Sequence, residues 1–520
     1  MKKVLMLCKE TYTVPLFFLE DKFIKSGYET AMFWIYPEEC AYDKCEYNKI
    51  LYYKIRENTK SKLYDLKQEV ENFCSKIDDL DIDERYISEV EKKYTYYKSL
   101  NTQLLSSQTT SRSFHFREKF NYTNNTQNKK FLEMAYKKVE FVLDDFMPDY
   151  IIDLDSAELL RTVINEVAHY RKIPYITVEY SRYENFIVPT FNLGLQTDDY
   201  FKRKYNENFS LAKENLATEY DYIKSFREKH SIMPDKYKGT ITAQYKGDSL
   251  IKTIYDIIKN ILLVKNLDSV RKKTYHNIHK CILFTQFYGA IKDFISYGLL
   301  RYKLFKKNKY FKEPCKDDKY IYMPLHLIPE STTFVKSPYY IDELNNIKQI
   351  SKSLPINWKL YVKEHQSMLG ERPLKFYKSV NLLPNAKMVS LNYYTDPKPW
   401  IENAEGVITI TGTTAYEAAL MGKSSIIFGN VFFDVIDGIQ KIDKFDNLYK
   451  KIKNIGKIDN IHSCAAYIKT VKDVGVEVDV NYLIREGMNI LYNNAEESNK
   501  FRIELDKLYE FYTKSFRIER

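Results

Sequence analysis

Val407-Ile408-Thr409-Ile410-Thr411-Gly412-Thr413-Thr414-Ala415-Tyr416-Glu417-Ala418-Ala419-Leu420-Met421-Gly422-Lys423 is the stretch on which the fold turns. A short apolar run stops at a Gly/Thr turn, and a segment of helical spacing follows. That pattern predicts a buried strand leading through a turn into a helix. Unpaired backbone N–H groups at such a helix start, with the hydroxyls of Thr411, Thr413 and Thr414 around Gly412, point where a phosphate would sit. Glu417, one turn in, is placed to accept hydrogen bonds from ribose hydroxyls. The plainer alternative is a threonine N-cap followed by a structural glutamate.

The alternation continues on both sides. Strands are predicted over Tyr320–Pro324, Lys359–Val362, Lys387–Val389, Gly406–Ile410 and Ser424–Phe428. Helices are predicted between them, over Tyr340–Leu354, Pro373–Val380, Pro397–Asn403 and Thr414–Met421. Strands alternating with helices imply a parallel sheet with ligands at the strand C-terminal ends. Two further strand ends in this region are polar. Leu360-Tyr361-Val362-Lys363-Glu364-His365-Gln366 delivers Lys363 and His365, suited to neutralising a pyrophosphate or protonating a leaving phosphate. The competing reading of His365 is an ordinary loop hydrogen-bonder. The run from Met323 to Thr333 sets His326, Glu330, Ser331 and Thr332 beside a cleft, against the alternative of a Pro-bounded turn and a helix cap.

The first half opens with a predicted strand (Val4–Leu7), a helix (Phe17–Ser26), a stop at Gly27 and a strand (Glu29–Ile35). From about 49 to 130 the pattern is helical and polar, with a Ser/Thr/Gln-rich break over 101–113, and reads as a helical insertion. A helix over Phe131–Phe146, a strand at Tyr150–Asp153, a helix over Ala157–Arg171 and a strand at Ile173–Val178 resume the alternation. Asp153, Asp155, Glu158, Glu179 and Arg182 fall at two strand ends. The fold class is therefore α/β, with two Rossmann-like domains facing a cleft and helical insertions. The expected divisions are an acceptor-side domain over 1–240, a basic helical bridge over 241–315, a nucleotide-sugar-binding domain over 316–480, and helices over 481–520 packing back on the first domain.

Composition narrows the function classes. At 520 residues, with 44% hydrophobic and 15% aromatic residues, the chain exceeds what one core serves. Its seven cysteines are widely spaced and form no C-x-x-C pair, which argues against a disulfide framework or a zinc site. The apolar run after Met1-Lys2-Lys3 ends at Cys8, too short for an export signal. No run reaches the roughly 18 apolar residues of a membrane span. A cytoplasmic protein is expected, at most peripheral at the inner face of the cell membrane. The net charge of +10 is uneven: Arg271 to Lys312 carries eleven Lys/Arg against one acid, Asp293. With Ile282, Phe284, Phe287, Phe294 and Leu299 alongside, that stretch would lie on an anionic bilayer, or else pack its apolar face against the domains. It carries no nucleic-acid-binding signature, so nucleic acid is not expected as a partner.

These motifs, in this order and spacing, resemble the capsule polysaccharide biosynthesis family, which includes bacterial Kdo transferases of GT-B architecture. The likeness runs over about Tyr320 to Phe433. It includes Pro324-Leu325-His326 with Pro329-Glu330-Ser331-Thr332-Thr333, Val362-Lys363-Glu364-His365, Arg372-Pro373 with Phe376-Tyr377, and Thr411-Gly412-Thr413-Thr414 with Glu417-Ala418 and Gly422-Lys423. In the first half only Asp149-Tyr150-Ile151-Ile152, Ile173-Pro174-Tyr175 and Ser181-Arg182 share in it. One departure stands out: the family usually has His-Pro where this chain has His365-Gln366, so the loop lacks the rigidity of proline.

The resemblance implies a GT-B-like glycosyltransferase moving a sugar from a nucleotide donor, CMP-Kdo by family, to a polysaccharide or glycolipid acceptor. Asp153, Asp155 or Glu158 would serve as base or nucleophile, with Glu179 and Arg182 on the acceptor side; as an alternative, Asp153 and Asp155 are good turn and cap residues. Asp153-Leu154-Asp155 has the letters of a metal-binding D-x-D but lies in the acceptor domain, so no obligatory metal or cofactor is expected. Other nucleotide sugars and either stereochemical outcome stay open. So do a sugar-nucleotide epimerase, a polyol-phosphate transferase, and a non-catalytic glycan- or lipid-binding scaffold.

Overall fold

A computed structural model describes residues 1–35, 45–76, 79–95, 99–106, 125–156, 159–232, 249–259, 295, 299, 302, 304, 309–328, 331–369 and 372–519. Glu158, Glu330, the side chains of Ser331 and Thr332, and most of the basic stretch 271–312 lie outside them.

Thirteen strands are found among the described residues. They are β1 (Lys3–Cys8), β2 (Glu29–Trp34), β3 (Lys62–Tyr64), β4 (Tyr150–Ile152), β5 (Tyr175–Tyr180), β6 (Phe186–Thr190), β7 (Lys319–Pro324), β8 (Trp358–Lys363), β9 (Ala386–Met388), β10 (Gly406–Thr409), β11 (Ser425–Ile427), β12 (Ile439–Lys441) and β13 (Val476–Glu477). They form two sheets, in the orders β13-β6-β5-β4-β1-β2-β3 and β12-β11-β10-β7-β8-β9.

In the first sheet β3-β2-β1-β4-β5 are parallel. Val4 to Cys8 is buried along its whole length, because the layers on both faces exclude water. That accounts for a continuous apolar run where a half-exposed strand would alternate. Helix Thr13–Lys25 ends at Gly27, whose φ of +83° is a left-handed conformation that suits glycine. The stretch read as a helical insertion contributes β3, which completes the parallel order beside β2. The strand is missed because it is three residues long, begins with an exposed Lys62 and sits at the sheet edge, where no buried apolar run is required.

The second sheet is parallel throughout. Counted from its own first strand, the order β9-β8-β7-β10-β11-β12 is 3-2-1-4-5-6, the doubly wound arrangement of nucleotide-binding domains. Strand order reverses between β7 and β10. In doubly wound sheets ligands bind beyond the C-terminal strand ends at such a reversal, and the Gly/Thr turn follows β10 at that point.

The two C-terminal edges meet. Glu179 on β5 forms a buried ion pair with Lys336 on helix Ser331–Lys336, at 2.6 and 2.7 Å. Tyr467 Oη donates to Ser181 O at 2.7 Å, and Arg227 Nε to Leu420 O at 2.7 Å. Helices Asp199–Phe209 and Ala217–Glu228, on the N-terminal side of the expected boundary at 240, pack on helix Ile461–Val474 of the second half. Asn208 Nδ2 reaches both Thr470 Oγ1 and Asp473 Oδ2 at 3.0 Å. The chain then returns to the first sheet. Strand β13 adds antiparallel to β6, and helices Val480–Asn493 and Asn499–Ser515 cover helix Thr13–Lys25. The architecture is two Rossmann-like α/β domains. No helix among the described residues is long and apolar enough to cross a membrane.

Candidate functional site

The turn after β10 is built by its own side chains. Gly412 N donates to Thr409 Oγ1 at 3.2 Å, and a Cβ at Gly412 would collide with that hydroxyl, so only glycine fits. Thr409 Oγ1 and Thr411 N each lie 3.3 Å from His326 Nε2, which extends from the end of β7. An accepting Nε2 leaves the ring proton on Nδ1, 3.4 Å from Glu343 Oε1. His326 is thereby buried as a brace across the strand reversal, with both ring nitrogens facing protein. Thr413 takes the N-cap position of helix Thr414–Leu420 without a side-chain cap bond, and the hydroxyls of Thr413 and Thr414 point to no protein partner among the described residues.

The brace rests on a buried ionic cluster. Arg372 pairs with Glu343 through Nη2 and with Glu364 through Nη1 at 2.7 Å, and Nη2 also donates to His326 O at 2.8 Å. Tyr377 Oη donates to Glu364 Oε2 at 2.8 Å. Burial pushes Glu364 up to about 6, against the attraction of the guanidinium. Glu343 is also penalised by burial, yet is held below its ordinary value because Arg372 and His326 outweigh that penalty. Neither Glu343 nor Arg372 has a readable role in the sequence: Arg372 shows only as part of an Arg-Pro pair.

Lys363 ends β8, beside β7, and His365 lies two residues on. Lys363 Nζ donates to Tyr394 O at 3.1 Å and lies 5.7 Å from the Trp400 ring centre. Burial lowers its amine to about 8, with Asp396 pulling against that shift. His365 caps the short helix Gln366–Met368, its Nδ1 accepting from Ser367 N at 3.3 Å. Glu417 stands one turn beyond the Gly/Thr turn, and its carboxylate has no hydrogen-bond partner among the described residues. Burial pushes it up to about 7, Asp396 adds to the push, and Arg182 of the first domain opposes it. Arg182 is exposed on the tight β5–β6 turn, in a left-handed conformation at φ +68°. Asp396 is unforeseen in the sequence; it caps helix Pro397–Glu402 through Lys398 N at 2.8 Å.

The first-domain carboxylates divide. Asp153 is fully buried and fully engaged, by Arg161 at 2.5 and 3.0 Å, by Tyr175 Oη at 2.7 Å and by the backbone N–H of Leu154 at 2.8 Å. Burial raises its pKa, with Arg161 opposing. Instead of facing the cleft as a base, it anchors the end of β4, and Tyr512 Oη donates to its carbonyl at 2.7 Å. Asp155 shares Arg161 at 3.0 Å but keeps its side chain 23% exposed. Glu179 is likewise committed, to Lys336, as a tie between domains. Asp153→Ala is expected to cost about 3–5 kcal/mol, since it leaves the buried Arg161 with Asp155 as its one remaining carboxylate, whereas Asp155→Ala should cost about 1 kcal/mol or less. Urea unfolding of both variants checks this, and equal stabilities would contradict the division. Among the described residues no group of three or more His, Cys, Asp or Glu is placed to hold a metal ion.

No family model and no curated protein matches the sequence. Similar solved structures include the β-Kdo 2,7-transferase KpsC of Thermosulfurimonas dismutans, at 13% identity and TM-score 0.31, covering 72% of this chain and 94% of that one. The UDP-GlcNAc 2-epimerase of Methanocaldococcus jannaschii aligns at 11% identity and TM-score 0.22, covering 91% and 100%. The calicheamicin glycosyltransferase CalG4 aligns at 8% identity and TM-score 0.27, covering 95% and 100%. At these values the fold assignment rests on strand order, and none of the three assigns an activity.

Proposed function

We propose that this protein is a glycosyltransferase-type enzyme whose second domain binds a nucleotide-activated sugar at the β7/β10 strand reversal. The observation that carries this reading is Glu417. It is a carboxylate poised near neutrality, without a hydrogen-bond partner among the described residues, one turn past a glycine-dependent Thr/Gly turn in a doubly wound sheet. Keeping such a group unpaired costs stability, which a ligand offering hydroxyls repays. On this reading Glu417 holds the ribose. The N–H groups and hydroxyls of Thr413 and Thr414 receive the phosphates, while the N–H groups of Thr411 and Gly412 are already held by His326 and Thr409; Lys363 and His365 offset the charge that develops as the nucleotide departs. His326 positions the turn. Of the described carboxylates Asp153, Asp155 and Glu179, Asp155 keeps the most solvent access, and it becomes the candidate base for the acceptor hydroxyl. The family resemblance makes CMP-Kdo the first donor to try and a capsular polysaccharide or glycolipid the acceptor.

A thermal-shift screen against CMP, UDP, GDP and their sugars tests the site. One nucleotide is expected to stabilise the protein, and His365→Ala is expected to weaken that binding roughly tenfold or more. Turnover should persist in excess EDTA, because cationic side chains and N–H groups serve the phosphates. A flat screen would overturn the donor site; turnover lost to EDTA and restored by magnesium would overturn the metal-free reading. Recovery of an isomerised nucleotide sugar without an acceptor would replace transfer by epimerisation.

A further inference from the structure

Three helices of the second domain carry a one-sided charge pattern at the strand ends opposite the donor site. Helix Glu343–Ser353, which joins β7 to β8, packs against both helix Leu374–Asn381 and helix Leu448–Lys453. The sequence has no acid over 344–363, 373–395 or 447–458, whereas lysines recur in all three. Lys352, Lys378, Lys450 and Lys453 fall in the last helical turns, and Lys348 lies one turn before Lys352. These lysines are exposed, and none forms an ion pair or hydrogen bond among the described residues. The acids of this face stand at the other helix ends. Asp342 caps Glu343–Ser353, while Asp443 and Asp446 precede Leu448–Lys453, where Tyr340 Oη donates to Asp443 O at 2.9 Å. Just before β7, Asp317 is exposed and Asp318 is committed to Lys387 Nζ at 2.7 Å and Tyr361 Oη at 2.6 Å.

Two aliphatic side chains stand out of this basic field. Ile356 is 92% exposed on the loop before β8, and Leu382 is 82% exposed on the loop before β9. Their neighbours turn inward instead: Leu354 is buried, and Leu383 packs on the same core. The two loops are fastened to each other. Asn385 Nδ2 donates to Ser351 O at 2.8 Å, Ser351 Oγ donates to Asn385 Oδ1, and Leu360 N donates to Asn385 O at 2.7 Å. Because β8 and β9 are parallel neighbours, both tips stand at one edge of the sheet, beside the lysine-bearing helix ends. A single exposed aliphatic residue is ordinary on a protein surface. Two on adjoining loop tips, ringed by unpaired cations, form an interaction surface.

An anionic bilayer matches both halves of that surface. Its headgroups attract the cations, and the boundary with the acyl chains takes up aliphatic side chains. A soluble polyanion would use the lysines and leave Ile356 and Leu382 in water. We propose that the β8/β9 end of the second domain is a membrane-docking surface, on which Ile356 and Leu382 enter the headgroup boundary of an anionic leaflet while Lys352, Lys378 and Lys453 lie on its headgroups. The surface is separate in sequence from the basic stretch 271–312. The Gly/Thr turn sits at the opposite strand ends and stays clear of the bilayer. The inference holds whatever that turn binds.

Flotation of the full chain with vesicles of phosphatidylcholine, alone or mixed with phosphatidylglycerol, tests it at low and high salt. The protein is expected to float with the anionic vesicles only, and less so at high salt. The triple variant Lys352→Glu, Lys378→Glu, Lys453→Glu should lower the partition coefficient roughly tenfold or more. The double variant Ile356→Ser, Leu382→Ser should lower it roughly threefold or more at either salt, because salt does not screen insertion. All five positions are exposed, so both variants should keep the wild-type Tm. No flotation of the wild type would overturn the proposal. So would flotation unchanged in the lysine variant, the result expected if 271–312 carried the binding. Loss in the lysine variant with none in the Ile356/Leu382 variant would overturn it too, and would leave a surface for a soluble polyanion.

Discussion

Arg372→Met is expected to unfold the second domain at markedly lower denaturant, with a loss of about 3–5 kcal/mol and a drop in Tm of roughly 6–20 °C. One guanidinium serves two buried carboxylates, Glu343 and Glu364, and also holds the carbonyl of His326. Removing it leaves two like charges in an apolar surround, while methionine fills the volume and rules out a simple cavity effect. The sign with pH follows from the same geometry. Both carboxyls would then be pushed above their ordinary values, so the deficit is present at about pH 8 and shrinks as pH falls through their raised titration range. Glu364→Gln is the contrasting change. It leaves Arg372 paired one to one with Glu343, relieves a carboxyl already pushed up to about 6, and should be neutral or stabilising at pH 8. If Arg372→Met unfolds like the wild type across this pH range, the cluster does not carry the domain.

The same cluster shows where sequence reading stops. Parallel strands covered on both faces are short apolar runs closed by turn residues, so β7, β8, β10 and β11 are visible from composition alone. The polar residues at their ends are visible as well. Which of those side chains turns inward is not, because that depends on a partner delivered by another element. Asp153 looks like a cleft residue until Arg161, from the following helix, captures it. His326 looks like a cleft-facing residue until Glu343 and Thr411 close on it. The Gly/Thr turn keeps its expected place because its geometry is local, enforced by Gly412 against Thr409.

Glu417→Gln is expected to make the protein more stable and less able to bind nucleotide at once. Its carboxyl, pushed from an ordinary 4.5 up to about 7, is costly to ionise in the folded state. A folded-state pKa above the unfolded one means that stability is full below pH 4.5 and is lost as pH rises through 7. At about pH 8 the wild type therefore bears the cost, and the neutral amide does not. With allowance for partial solvent access, the gain should be about 1–2 kcal/mol, a rise in Tm of roughly 2–8 °C, and it should fade towards pH 4.5. Nucleotide affinity should fall roughly tenfold or more, because an amide oxygen accepts from ribose hydroxyls far less strongly than a carboxylate. Differential scanning fluorimetry at several pH values, with and without the nucleotide that binds best, reads both effects from one protein. A stabilised variant that binds nucleotide as the wild type does would leave Glu417 as a strained structural residue. An unstabilised variant that fails to bind would mean that the carboxyl is not poised by burial, and that its contact with ribose is an ordinary surface one.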